Sequence, residues 1–170
     1  MEEETILFGI PIPSTSKLFL AIVVVHILFG LLCVLAGLAA MLSEKGGKSH
    51  TLAGKTYFWC MVFAFVTIVV LSAMRWPHNI HLLTIGTVAF ALTFAGRRLA
   101  QNRASGWTRL HTLCMGLSYI FLLTGFYVDN GKNLPFWRQF PQTFFWVFPS
   151  IVGVPIIVYT LLRHPLNKKK

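Results

Sequence analysis

Six histidines are the residues of this 170-residue chain best suited to chemistry, because five acidic residues and three dispersed cysteines leave few other groups for it. His50 and His111 each follow a polar connector and precede a long apolar run. Two such imidazoles can hold a haem iron from both sides, with the protein supplying the axial ligands and a pocket of low dielectric. They form the first candidate site for b-type haem. His26 lies deep in apolar sequence and, with His81 or the neighbouring His78, would make a second pair near the opposite face. Depth works against that second pair, since at 1.5 Å per helical residue His26 sits about 12 Å inside its span and His81 only about 3 Å inside. The plainer reading of His26 is a hydrogen bond to a neighbouring helix.

Other polar residues fall on helical faces. His26, Gly30, Cys33 and Gly37 recur at helical spacing, a stripe whose small residues let another backbone approach. His111, Met115, Ser118, Leu122, Gly125 and Asp129 form a second line, with Ser118 and Asp129 as its polar members. Asp129 is open to three readings: an ion pair with Arg75, Lys132 or Arg138, a turn in Asp129-Asn130-Gly131, or a proton relay. Cys33, Cys60 and Cys114 lie apart within apolar runs and give no metal-binding or disulfide spacing. No phosphate-binding glycine loop, nucleophile elbow or HExxH sequence occurs, so soluble-type hydrolase chemistry is not indicated.

The elements that must position these residues follow from composition. Hydrophobic residues make up 55% of the chain, charged residues 12%, and the mean hydropathy is +0.67. These values exclude an ordinary soluble domain and a disordered chain. Charge-free runs over 18–43, 56–74, 79–96, 110–128 and 142–162 each have the length of about 20 helical residues that a bilayer core requires. Without water to satisfy the backbone, each run must be a helix despite its Val, Ile, Phe and Thr content. The expected fold class is therefore all-α, an integral membrane bundle of five transmembrane helices. Residues 1–17 are expected as an extracytoplasmic segment, with an extended lead-in over 8–15, 18–163 as the membrane domain, and 164–170 as a basic cytoplasmic tail. Ser49 is the expected N-cap of the second helix, which puts His50 in its first turn. Pro149 and Pro155 predict a kink in the fifth helix around Gly153.

A net charge of +10 in a soluble protein would suggest nucleic acid. Its placement gives another reading. Lys45, Lys48, Lys55, Arg97, Arg98, Arg103, Arg109, Arg163 and the terminal Lys168, Lys169 and Lys170 fall on one side of the spans. The other side keeps Lys17, Arg75, Lys132, Arg138 and most of the acidic residues. The asymmetry predicts an outside amino terminus and a cytoplasmic carboxyl terminus, with the lipid bilayer rather than nucleic acid as partner. Trp76, Tyr127, Trp137 and Trp146 would form the outer aromatic belt, and Tyr57, Trp59, Trp107 and Tyr159 the inner one.

His26, the segment KGGKSHTLAGKTY over 45–57, the stretch HTLCMGLSYIFLLTGFYVDNGKNLP over 111–135 and FPSIVGVPII over 148–157 together carry a resemblance. The chain resembles a family of predicted bacterial multi-pass inner-membrane proteins catalogued as a domain of unknown function. That resemblance implies a compact helical bundle in the cell inner membrane and supplies no activity. More loosely, the histidine layout is similar to small b-type cytochromes of membranes. The expected function is a small redox protein holding haem b through His50 and His111, with His26 and His81 as further candidates. The alternative is non-enzymatic: a proton or small-solute path, or a structural subunit, with a homo-oligomer or a larger membrane complex as its setting.

Overall fold

A computed structural model of the chain describes residues 5–7, 10–12, 16–103 and 105–163. Five long helices follow one another: α1 (Lys17–Leu42), α2 (Lys48–Met74), α3 (Ile80–Asn102), α4 (Trp107–Asn130) and α5 (Gln142–Arg163). Two 3-10 turns, Gly131–Asn133 and Trp137–Gln139, connect α4 to α5. All five helices are long and apolar enough to cross a membrane. Glu2, Glu3, Glu4 and the 164–170 tail lie outside the described residues.

Several boundaries differ from the charge-free runs. α2 begins at Lys48, α3 continues through Arg97 and Arg98 to Asn102, and α4 begins at Trp107. A run ends where charge begins, whereas a helix continues until its backbone is turned. Gly46 has φ +83°, Arg103 φ +49° and Gly106 φ +73°, left-handed conformations that stop or reset the chain at these connectors. The N-cap of α2 is Gly47 rather than Ser49, which lies inside the helix. Ahead of α1, β1 (Thr5–Leu7) pairs antiparallel with β2 (Ile10–Ile12). Part of the expected extended lead-in is thus a short ribbon; the rest of 8–15 lies outside the described residues.

α1 packs along α2, α3 along α4, and α5 along α4, while α4 also touches α1. The main core joins Cys33 and Ala36 of α1, Tyr57, Cys60 and Met61 of α2, and Ala89 of α3, with Met115, Tyr119 and Leu122 of α4 against them. Outward faces are equally apolar. Leu31 is 55% exposed, Leu35 54% and Ile151 60%, so the exterior has the chemistry of an interior and suits hydrocarbon rather than water.

Glycines set the helix spacing. A Cβ on Gly116 of α4 would lie 2.6 Å from Ile157 Cγ1 of α5, and one on Gly153 of α5 would collide with Ile120 of α4. The two helices therefore exchange an isoleucine for a glycine in both directions. α5 is assigned as one helix through both Pro149 and Pro155, and Gly153, expected at a kink, is the seat of Ile120. Gly37 of α1 likewise leaves room for the Tyr119 ring, where a Cβ would lie 2.5 Å from Cε2. Overpacking at such a seat costs about 1–3 kcal/mol. Gly153→Ala is expected to lower unfolding stability in detergent by that amount, and adding Ile120→Ala should recover part of it. Additive losses in the double variant would show that the two positions do not meet.

Candidate functional site

The first turns of α2 and α4 lie at the same end of the bundle, as two helices separated by one antiparallel neighbour must. His50 occupies the third position of α2 and His111 the fifth position of α4. Their rings meet with centroids 6.4 Å apart and planes at 76°. Each is anchored from behind by the preceding helix. His50 Nδ1 lies 2.9 Å from Ala40 O of α1, and His111 Nδ1 lies 2.8 Å from Gly96 O of α3. A carbonyl oxygen only accepts, so Nδ1 must carry the proton in both rings. In the neutral imidazoles the lone pair is then on Nε2.

No hydrogen bond to either Nε2 occurs among the described residues, and none of their buried side-chain nitrogens or oxygens lacks a partner. Both Nε2 atoms therefore reach accessible space. Anchoring Nδ1–H to a backbone carbonyl is how proteins fix the tautomer and orientation of a metal-binding histidine. A metal joined to two imidazoles in line, through bonds of about 2 Å each, separates ring centroids by roughly 6 Å. The observed centroid separation of 6.4 Å is of that size. Among the described residues no group of three or more His, Cys, Asp or Glu converges, so the pair offers an ion two protein ligands. Gly54, one turn beyond His50, has nothing within 4 Å of where a Cβ would stand, leaving open space on the same helix face.

Lys45 completes this end. Its ammonium donates to Ala40 O at 3.1 Å and to Met41 O, closing the last turn of α1. Partial desolvation there lowers the pKa of the ammonium. Ala40 O thus accepts from both Lys45 and His50. Sequence spacing did not point to Lys45, because a basic residue after an apolar run reads as an orientation signal.

Two turns into the bundle, Tyr57 OH lies 3.0 Å from Ser118 Oγ, and Ser118 donates to Met115 O at 2.8 Å. Tyr57 is 2% exposed, so it belongs to the core and not to the expected inner aromatic belt. Its hydroxyl finds a partner there, which a belt position would have left to water. Tyr119 OH donates to Val34 O of α1 at 3.1 Å. One signal was legible: Tyr57 follows His50 by the same interval as Ser118 follows His111.

The other histidines go elsewhere. His26 Nδ1 lies 2.8 Å from Thr67 Oγ1 and 3.1 Å from Ala64 O, so α2 holds it. In the same stripe Cys33 and Gly37 are buried, while Gly30 has nothing within 4 Å of a would-be Cβ. His81 stands beside Trp146 of α5, ring centroids 6.3 Å apart, and within electrostatic reach of Asp129. Asp129 accepts from Asn130 Nδ2 at 3.3 Å. Lys132, one expected partner of Asp129, donates instead to Arg138 O and Phe140 O and closes the connection before α5.

No family model, curated protein or solved structure matches the chain. His26→Ala is expected to cost about 0.6–1.7 kcal/mol, the range of interhelical hydrogen bonds in membrane bundles. Thr67 keeps acceptors at Phe63 O and Ala64 O, so no orphaned hydroxyl adds to the loss. Thermal unfolding in detergent measures it, and a loss above about 3 kcal/mol would show that His26 does more than join two helices.

Proposed function

We propose that the protein is a multi-pass protein of a bacterial cytoplasmic membrane, with its amino terminus outside, that holds one b-type haem between His50 and His111 and serves in one-electron transfer. The observation that carries this reading is the pair of rings 6.4 Å apart, each with Nδ1–H tied to the carbonyl of a preceding helix. Two protein ligands are too few to retain a bare ion but would suffice for a metal held within a macrocycle that supplies its other ligands.

When bound, haem supplies a reversible one-electron couple. The protein's part is positional. His50 and His111 offer Nε2, and the carbonyls of Ala40 and Gly96 hold the rings in orientation and raise their basicity. Gly54, one turn beyond His50, adds no side chain to that helix face, and the apolar bundle lowers the local dielectric. The distribution of basic residues supports a cytoplasmic position for this end.

Protein purified from cells supplied with a haem precursor is expected to show Soret and α bands in a reduced-minus-oxidised difference spectrum. His50→Ala and His111→Ala should each abolish the six-coordinate signature, while His26→Ala and His81→Ala should leave it in place. Absence of bands in the wild type would end the reading. Bands that survive both axial substitutions would move the cofactor to other residues.

A further inference from the structure

Of the cations at this end of the bundle, four lie over aromatic rings, among them Arg163 at 4.7 Å from the Tyr159 centroid. The Arg97 guanidinium sits 4.1 Å above the Phe58 ring, Arg98 lies 5.3 Å from the Phe94 centroid, and Arg103 lies 5.9 Å from that of Trp107. Lys45 differs in its partners. Its hydrogen bonds run to carbonyl oxygens rather than to a carboxylate, and one of these is the oxygen that anchors His50. A single atom, Ala40 O, therefore joins a positive charge to a candidate axial ligand. The same ammonium is within electrostatic range of His111.

We infer that Lys45 tunes the histidine pair and, through the carbonyl of Ala40 that it shares with His50 and through its own charge, raises the midpoint potential of the bound haem. The inference rests on the haem reading above. Two effects act in the same direction. An oxygen that already accepts from an ammonium accepts less strongly from His50 Nδ1–H, so the imidazole donates less charge to a ferric iron. A nearby cation also disfavours the more positive ferric state by direct Coulomb repulsion. In the couple, ferric iron takes one electron from a reductant and becomes ferrous, with no bond formed or broken in the protein. A fixed positive charge favours that uptake.

The test is a redox titration of the purified holoprotein, with dithionite as reductant and ferricyanide as oxidant, for wild type, Lys45→Met and Lys45→Arg. Lys45→Met should keep the Soret and α bands and lower the midpoint. At any set potential its ferrous-to-ferric ratio should fall about three- to tenfold, a tenfold change being about 59 mV for a one-electron couple. Lys45→Arg should stay near wild type, because it keeps the charge and the donors. The side chain is exposed, so the gap between wild type and Lys45→Met should narrow as salt rises from about 0.01 M to 1 M and the Debye length falls from about 30 Å to 3 Å.

A Lys45→Met protein with intact bands and the wild-type midpoint overturns the inference and leaves the haem reading standing. A wild type without bands overturns both. If Lys45→Met fails to fold or to retain haem, the wild type decides alone: its midpoint should fall with rising salt, and a salt-independent midpoint overturns the inference.

Discussion

Polar groups have no water to turn to inside a bundle whose exterior is hydrocarbon-like, and the rest of the structure depends on that constraint. Thr84, Thr87, Thr93, Thr124 and Thr160 each donate to a carbonyl one turn back in their own helix. His26 is met by Thr67 and Ala64 O, Tyr57 by Ser118, and Tyr119 by Val34 O. Among the described residues, no buried side-chain nitrogen or oxygen is left without a partner. Each bond between helices also fixes a rotation about the helix axis, which uniform apolar packing cannot do.

Seen this way, the bundle contains two similarly fastened hairpins. In the first, His50 near the start of α2 bonds back to α1; in the second, His111 near the start of α4 bonds back to α3. α2 and α4 run in the same direction, so equal intervals along them stay level. The rings of His50 and His111 form one rung, and Tyr57 with Ser118 forms the next, two turns deeper. The sequence contains no recognisable repeat, yet side-chain chemistry places like positions opposite each other. The rung nearest water holds the groups with free lone pairs, while the deeper one is closed by its own hydrogen bond.

Glycine supplies the complementary control over distance. Gly37 admits Tyr119, and Gly116 and Gly153 admit Ile157 and Ile120. α4 is therefore tied to α1 by a tyrosine and to α5 by an isoleucine exchange, besides lying along α3. With α4 positioned by three neighbours, His111 is presented to His50 by the whole bundle rather than by a local loop.

The sequence by itself determined the number of helices, their approximate limits and the placement of His50 and His111 near the starts of two helices at one end. Those features depend on length and charge, and charge cannot sit in hydrocarbon without cost. It did not determine which way each helix faces. Lipid is as apolar as the core, so a residue such as Leu35, 54% exposed, and one such as Ile120, 5% exposed, carry the same hydropathy signal. Only the tertiary structure brought His50 to His111, sent His81 to Trp146 and Asp129, and drew Tyr57 into the core. It also made Lys45, legible in the sequence only as a positive flank, a partner of the same carbonyl as His50. Helix rotation and neighbour order settle these matters, and they are decided by small residues and interhelical hydrogen bonds that hydropathy does not record.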